Sequence, residues 1–134
     1  MYLKHISARN YRAFGDSVSA PELDWELNPG LNILVGENDA GKTCIVDAIR
    51  QILLTTSYEN IRLFEQDFHI HGLTRSNNLC IQATLCGLST DQEASVLEWL
   101  TLGEDGTCSL ILHLEARFHP PQATKRPRVE TIVR

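Results

Sequence analysis

The sequence is short of basic charge. Twelve Lys and Arg stand against 17 Asp and Glu, a net charge of −5 over 134 residues. A surface that is basic all over, the usual footprint of general nucleic-acid binding, is thereby excluded, although a local patch is not. Long apolar runs are also missing: none approaches the ~20 residues needed to cross a bilayer, and the N-terminus has no apolar signal region. The four cysteines (Cys44, Cys80, Cys86 and Cys108) form no C-x-x-C pair and sit in apolar or alternating stretches, as small core residues do. Nothing argues for a disulfide framework, so a reducing cytoplasm is the expected compartment. Repeats and low-complexity segments are absent. The length suits one domain or a piece of a larger one. With 43% apolar and 22% charged residues, the composition is that of an ordinary globular chain.

Periodicity divides the chain into three parts: residues 1–55, 56–77 and 78–134. Residues 2–12 and 23–27 read as strands, and Asn28-Pro29-Gly30 as a turn. Residues 31–35, "LNILV", are short, apolar and bounded by glycines, the pattern of a buried central strand. From Lys42 to about Thr55 the pattern is helical, with Ile45, Ile49, Ile52 and Leu53 on one stripe and Asp47, Arg50 and Gln51 off it. Residues 56–77 lack a period and read as a long loop. Leu79, Ile81, Ala83 and Leu85 alternate as a strand does. Ser89 and Thr90 precede Gln92 and Glu93 at capping-box spacing, predicting a helix from Asp91 to Leu100. Asp105-Gly106 is a turn signal. Cys108 to Phe118 is the clearest alternating strand, broken by Pro120-Pro121, and residues 128–134 open another.

Between the apolar run and the helix lies Gly36-Glu37-Asn38-Asp39-Ala40-Gly41-Lys42-Thr43. This is the G-x-x-x-x-G-K-T phosphate-binding pattern, with a strand before it and a helix after it. Backbone N–H groups at a turn feeding a helix N-terminus supply the donors a triphosphate needs, and the helix dipole adds favourable potential. The glycines let the backbone approach the phosphates. Lys42 has the reach for the β- and γ-phosphates, and the Thr43 hydroxyl suits Mg²⁺. Glu37 and Asp39 are expected to point outward. Hydrolysis needs a further carboxylate, normally on an apolar strand ending in Asp-Glu. Residues 44–134 contain no convincing run of that kind. "SLILHLEA" comes nearest with Glu115, but His113 interrupts it.

Residues 31–53 resemble the first loop of ABC-type ATPase heads. The variety is that of RecF, the SMC proteins and the OLD-family (overcoming lysogenization defect) nucleases. The opening Asn10-Tyr11-Arg12-Ala13-Phe14 is similar to the Asn-aromatic-basic-x-Phe opening of these heads. Residues 64–72 and 81–100 resemble segments that follow in OLD-type ATPase domains. The resemblance implies an α/β P-loop N-terminal lobe, with a mixed sheet around the strand–loop–helix unit and an antiparallel meander in the second half. It implies ATP and Mg²⁺ as cofactors. Gly36 to Thr43 and Cys44 would hold the nucleotide, with Arg12 beside it, and Thr43 and Gln66 would face the metal; Asp67 is the alternative to Gln66. It also implies pairing of two heads, or docking of a C-terminal half, with DNA as an indirect partner. The family's signature segment, Asp-Glu strand and Toprim nuclease domain have no counterpart in these residues, which leaves turnover by this chain open. The alternative is a nucleotide- or partner-binding remnant without turnover.

Three weaker constellations remain. Asp67, His69 and His71 alternate as zinc ligands can, with a fourth ligand to be drawn from His5, His113, His119 or a cysteine; the spacing is unspecific, and a polar loop face is the preferred reading. Lys125, Arg126 and Arg128, with Arg134 beyond, read as a solvated loop. Trp25 and Trp99 are expected in the core.

Overall fold

A computed structural model describes residues 1–18, 20–38, 41–54, 63–123 and 125–133. Its centre is one sheet in the order β2 (Leu23–Glu26), β1 (Tyr2–Arg9), β5 (Asn78–Cys86), β7 (Cys108–His119), β6 (Leu100–Leu102). β8 (Arg128–Val133) pairs with the C-terminal half of β7, beyond the stretch that β6 occupies. A small hairpin, β3 (Ile70–His71) with β4 (Thr74–Arg75), lies outside this sheet. Among the described residues two helices complete the fold, α1 (Lys42–Leu53) and α2 (Thr90–Ser95). The architecture is the expected α/β lobe with an antiparallel second half. Every pairing among the described residues is antiparallel, so the mixed character anticipated for the sheet is not seen in them.

The alternation of each strand sorts the sheet into two faces. Leu23, Ala8, Ile81, Leu114 and Val133 lie across neighbouring strands as one apolar row, and Trp25, Ile6, Ala83 and Leu112 form the next. α1 covers this face with Ala48 and Ile52, both fully buried, while Ile45 and Ile49 pack at the margin. Phe68 and Phe118 close one end, ring centroids 5.7 Å apart and tilted, a spacing typical of favourable aromatic pairs. The opposite face is polar, with the rows Asp24, Ser7, Gln82, His113 and Arg9, Cys80, Glu115.

Four expectations need correction. Residues 31–35 form no strand, and Leu31, Ile33 and Val35 are 84%, 70% and 82% exposed. A central strand is buried only where neighbours pair with both its edges, and none of the described strands lies beside this one. The turn before it is formed: the Asn32 side chain accepts from the Asn28 N–H at 2.9 Å and donates to the Asn28 carbonyl at 2.8 Å. The second helix is shorter than predicted. Ser89 caps it in a box with Gln92, but it stops at Ser95, and Val96 leaves helical geometry at φ −125°. The apolar residues beyond it find no face to bury, so Leu97 and Trp99 stay 71% and 67% exposed and the chain turns into β6. Trp99 is therefore not a core residue, whereas Trp25 packs against the core. Finally, Leu53 lies at the edge of the α1 stripe and is exposed. Residues 55–62, which hold the expected end of this helix and most of the following loop's first half, lie outside the described residues.

Candidate nucleotide site

α1 begins in an unusual state for a helix. Gly41 is its N-cap at φ +85°, no side chain caps it, and its first turn carries no acid. Only Gly tolerates that left-handed backbone without penalty. Among the described residues no side chain gives the first N–H groups of the helix the acceptor that a Ser, Thr, Asp or Asn cap supplies, and no acid of its first turn faces the positive end of the dipole. Lys42 folds back so that its ammonium donates to the Gly36 carbonyl, tying the two glycines of the loop together. Thr43, Glu37 and Asn38 are exposed, and Cys44 is half-buried. Asp39 and Ala40 lie outside the described residues. An uncapped helix start, a lysine and an exposed first-turn hydroxyl fit the anionic end of a nucleotide and its hydrated magnesium.

The turn after β1 packs against this loop. A Cβ at Gly41 would meet the Phe14 ring at 3.5 Å and the Ala13 methyl at 3.8 Å. Within that turn Arg12 sits at φ +49°, a conformation that costs a non-glycine residue about 1–2 kcal/mol. Its surroundings hold it there. The Arg12 N–H donates to the Asp67 carbonyl at 2.8 Å, and its Nε donates to Asp67 Oδ1 at 2.9 Å. A second guanidinium nitrogen donates to the Asp47 carboxylate on α1. The Arg12 carbonyl lies 2.7 Å from His69 Nδ1, so that nitrogen carries the proton. Burial lowers the affinity of the guanidinium for its proton, but the hydrogen bonds to Asp67 and Asp47 more than offset this and hold its pKa further above its ordinary value. Burial likewise pushes the Tyr11 phenol upward. Arg12 therefore joins three segments: the turn, α1 and residues 64–69. It lies in a tight turn after β1, with a partly exposed side chain bridging two acids.

Of the two residues considered for the metal, Gln66 is exposed in a single 3-10 turn (Glu65–Asp67) and Asp67 is buried. Asp67 is already engaged: besides Arg12, its Oδ2 accepts from the Phe64 N–H at 2.8 Å. Among the described residues no three His, Cys, Asp or Glu come together as a metal set. His71 is exposed while His69 is buried, so these two do not share one environment. Glu115 lies on the polar sheet face beside Arg117 at 3.5 Å, on the face opposite α1. The same face holds an open cavity of about 430 Å³ lined by His5, Arg9, Cys80 and His113, among others. There His113 Nε2 is 3.0 Å from Cys80 Sγ, and burial with the Glu115 charge pushes the Cys80 thiol up, away from the reactive thiolate. Asp47 as the partner of Arg12 was missed by sequence reasoning; its position off the apolar stripe of α1 was the available signal.

The family model for the AAA ATPase domain matches residues 1–108. The chain belongs to that family. Among curated relatives of this AAA ATPase domain, the chromosome partition protein Smc of Fusobacterium nucleatum is 38% identical over 73 residues, which is 54% of this chain and 6% of Smc. The DNA replication and repair protein RecF of Streptococcus uberis is 38% identical over 58 residues, 43% of this chain and 14% of RecF. RecF of Lactococcus lactis is 37% identical over 79 residues, 54% of this chain and 20% of RecF. The chain thus spans a fifth or less of these relatives. A solved structure from work on ATP-driven dimerization and DNA-stimulated activation of SMC ATPases superposes with a TM-score of 0.56 at 16% identity. The match covers 98% of this chain and 69% of that one. At that identity the likeness speaks for the fold. The AAA ATPase match ends within β7, so most of β7 and all of β8 lie beyond it.

Proposed function

We propose that this chain binds Mg-ATP as the N-terminal part of an SMC/RecF-like ATPase head, with residues 1–134 forming part of a P-loop ATPase domain. The loop from Gly36 to Cys44 holds the phosphates, Lys42 reaches the β- and γ-phosphates, and Thr43 and Gln66 face the magnesium. Arg12 lies beside the nucleotide and fixes the relative positions of the loop helix and residues 64–69. The start of α1 supports this most directly, because its uncapped donors, left-handed Gly41 and inward Lys42 have no structural purpose that a capped helix would not serve better. The exposed 31–35 segment supports the partial-domain reading, since its outward apolar side chains suit further strands of the same head. In a full-length relative, two heads would close on ATP and couple its hydrolysis to work on DNA. Assignment to the OLD nucleases, with DNA cleavage, rests on residues 64–72 and 81–100.

The test is calorimetric titration of the chain with ATP and Mg²⁺, with Lys42→Ala as control, followed by phosphate release on the same samples. Saturable binding that the substitution weakens at least about tenfold is expected, a loss of roughly 1.4 kcal/mol. Binding without phosphate release assigns a nucleotide-gripping lobe that needs its missing half. Lys42-dependent release would reveal a catalytic carboxylate within this chain. No binding by the folded chain sinks the nucleotide reading and leaves the partner-binding remnant.

A further inference from the structure

Exposed apolar side chains and negative charge meet where α2 gives way to β6. Leu97 and Trp99 stand exposed in a single 3-10 turn (Leu97–Trp99), and Leu102 is exposed on β6. Beside them an open groove of about 450 Å³ runs between α2 and the sheet, with Leu85, Leu88, Val96, Leu110 and Leu112 among its lining residues. A second open cavity, of about 270 Å³, is lined by Ala94, Leu97 and Trp99 among others and shares Ser95 and Val96 with the groove. The two are therefore one continuous surface.

The charge around it is one-sided. Residues 76–116 contain no Lys or Arg, while Asp91, Glu93, Glu98, Glu104 and Asp105 crowd into their middle. Asp91 lines the groove and Glu98 the adjoining cavity; both are exposed, and neither takes part in the ion pairs found among the described residues. Two exposed cations from elsewhere in the chain come near. Thr107, with a smaller contribution from Lys4, holds the Asp105 carboxyl below its ordinary value. Arg50 stands one helical turn before Leu53, which lines the α1 end of the groove. The acids of α2 and the 3-10 turn are left facing outward. A second copy of this chain would set the same acids against this rim, and like charges opposed across an interface are costly. A partner that is apolar in the middle and basic at its edges fits instead.

We propose that the α2–β6 surface docks an amphipathic helix of a partner protein. Its apolar stripe seats in the groove against Leu97 and Trp99, and its Lys or Arg side chains lie over Asp91 and Glu98. A helix suits the shape better than a strand. β6 presents an edge of three residues, too short to hold an added strand by main-chain bonds. The groove has a helix for one wall and strands for its floor, and side chains at i, i+3, i+4 and i+7 run along such a groove as one stripe. Trp is also the residue type most enriched where interface energy concentrates. The contact needs no nucleotide at the phosphate loop.

The experiment is fluorescence anisotropy of the full chain, without ATP, with a labelled peptide of about 18 residues, long enough to form a helix. The peptide carries Leu at helical spacing and Lys elsewhere. Saturable binding is expected with Kd below about 100 μM, weakening between about 50 and 200 mM salt as the charges are screened. Leu97→Ser/Trp99→Ser should weaken it at least about tenfold. Asp91→Asn/Glu98→Gln should weaken it about three- to tenfold and flatten its salt dependence. Glu26→Gln/Glu130→Gln removes the same charge elsewhere and should leave it within about twofold. Far-UV melting checks that each variant keeps the fold. Absence of binding, full binding by the Leu97/Trp99 variant, or an equal loss in the Glu26/Glu130 variant overturns the site. A peptide of the same composition in strict Leu-Lys alternation that binds as tightly overturns the helix assignment. Sedimentation velocity separates the remaining occupant: a dimer that strengthens with salt, is lost in Leu97→Ser/Trp99→Ser and is not displaced by the helical peptide assigns the surface to a second copy and overturns the proposal.

Discussion

Arg12 shows how one side chain can hold strained backbone in place. Its left-handed φ is unfavourable, and it persists because the main chain and guanidinium of the same residue are anchored to Asp67 and Asp47. The Asp67 side chain is only 6% exposed, while that of Arg12 is 32% exposed. Removing the arginine would leave a carboxylate with little water around it and, among the described residues, only the Phe64 N–H as partner. The pair lies between the surface regime, worth less than about 1 kcal/mol, and the buried regime, where losing one partner costs about 3–5 kcal/mol. Arg12→Ala is therefore expected to destabilise the chain by about 1–3 kcal/mol in urea unfolding. Asp67→Asn should cost less, because the amide oxygen still accepts from Arg12. Equal stability of Arg12→Ala and the parent chain would show that the network holds nothing. Little of this was legible in the sequence. Arg12 stood out through a motif, but its partners lie 35 and 55 residues away, and carboxylates that meet in space leave no spacing to read. The turn conformation was equally hidden, since arginine carries no preference for positive φ.

At the scale of elements, legibility followed the source of each pattern. α1 was readable because its period, its glycine entry and its phosphate-loop motif agree. β5 and β7 were readable because alternation over nine and twelve residues admits one orientation of the sheet. The second helix was overextended because a capping box fixes where a helix begins and says nothing of where it stops. Residues 31–35 show the opposite failure: an apolar run states a need for burial, and whether it is met depends on neighbouring strands. Their backbone pairs with no strand among the described residues. Amide hydrogen exchange measures this directly. Residues 32–35 are expected to exchange within about tenfold of the unstructured rate, while amides of Leu79 to Leu85 in the middle of the sheet are protected to the level of global unfolding. Protection of 32–35 equal to β5 would mean that these residues are paired in solution.

Taken as a whole, the molecule is a sheet with one face closed by a helix and apolar surface left over at its rim. Leu31, Ile33 and Val35 project from one extended segment, and Leu97, Trp99 and Leu102 from the α2–β6 region. Nearby, an open apolar groove of about 450 Å³ runs between α2 and the sheet, lined by Leu85, Val96, Leu110 and Leu112 among others. Exposed apolar patches on monomeric proteins commonly mark contact sites, and an unpaired extended segment adds backbone donors and acceptors to one of these. The chain on its own is therefore expected to associate with increasing concentration in sedimentation velocity. The net charge of −5 opposes this, so association should strengthen with salt as that repulsion is screened. The two rims can be separated by substitution. Ile33→Lys with Val35→Glu leaves net charge unchanged and breaks only the extended segment; because both side chains are exposed, stability should move by no more than about 0.5 kcal/mol. If that segment drives association, the double variant is monomeric where the parent is not. If the variant associates like the parent while Trp99→Ser does not, the α2–β6 rim is the contact. A parent chain that stays monomeric at the highest concentration and salt would mean that both rims are covered in solution.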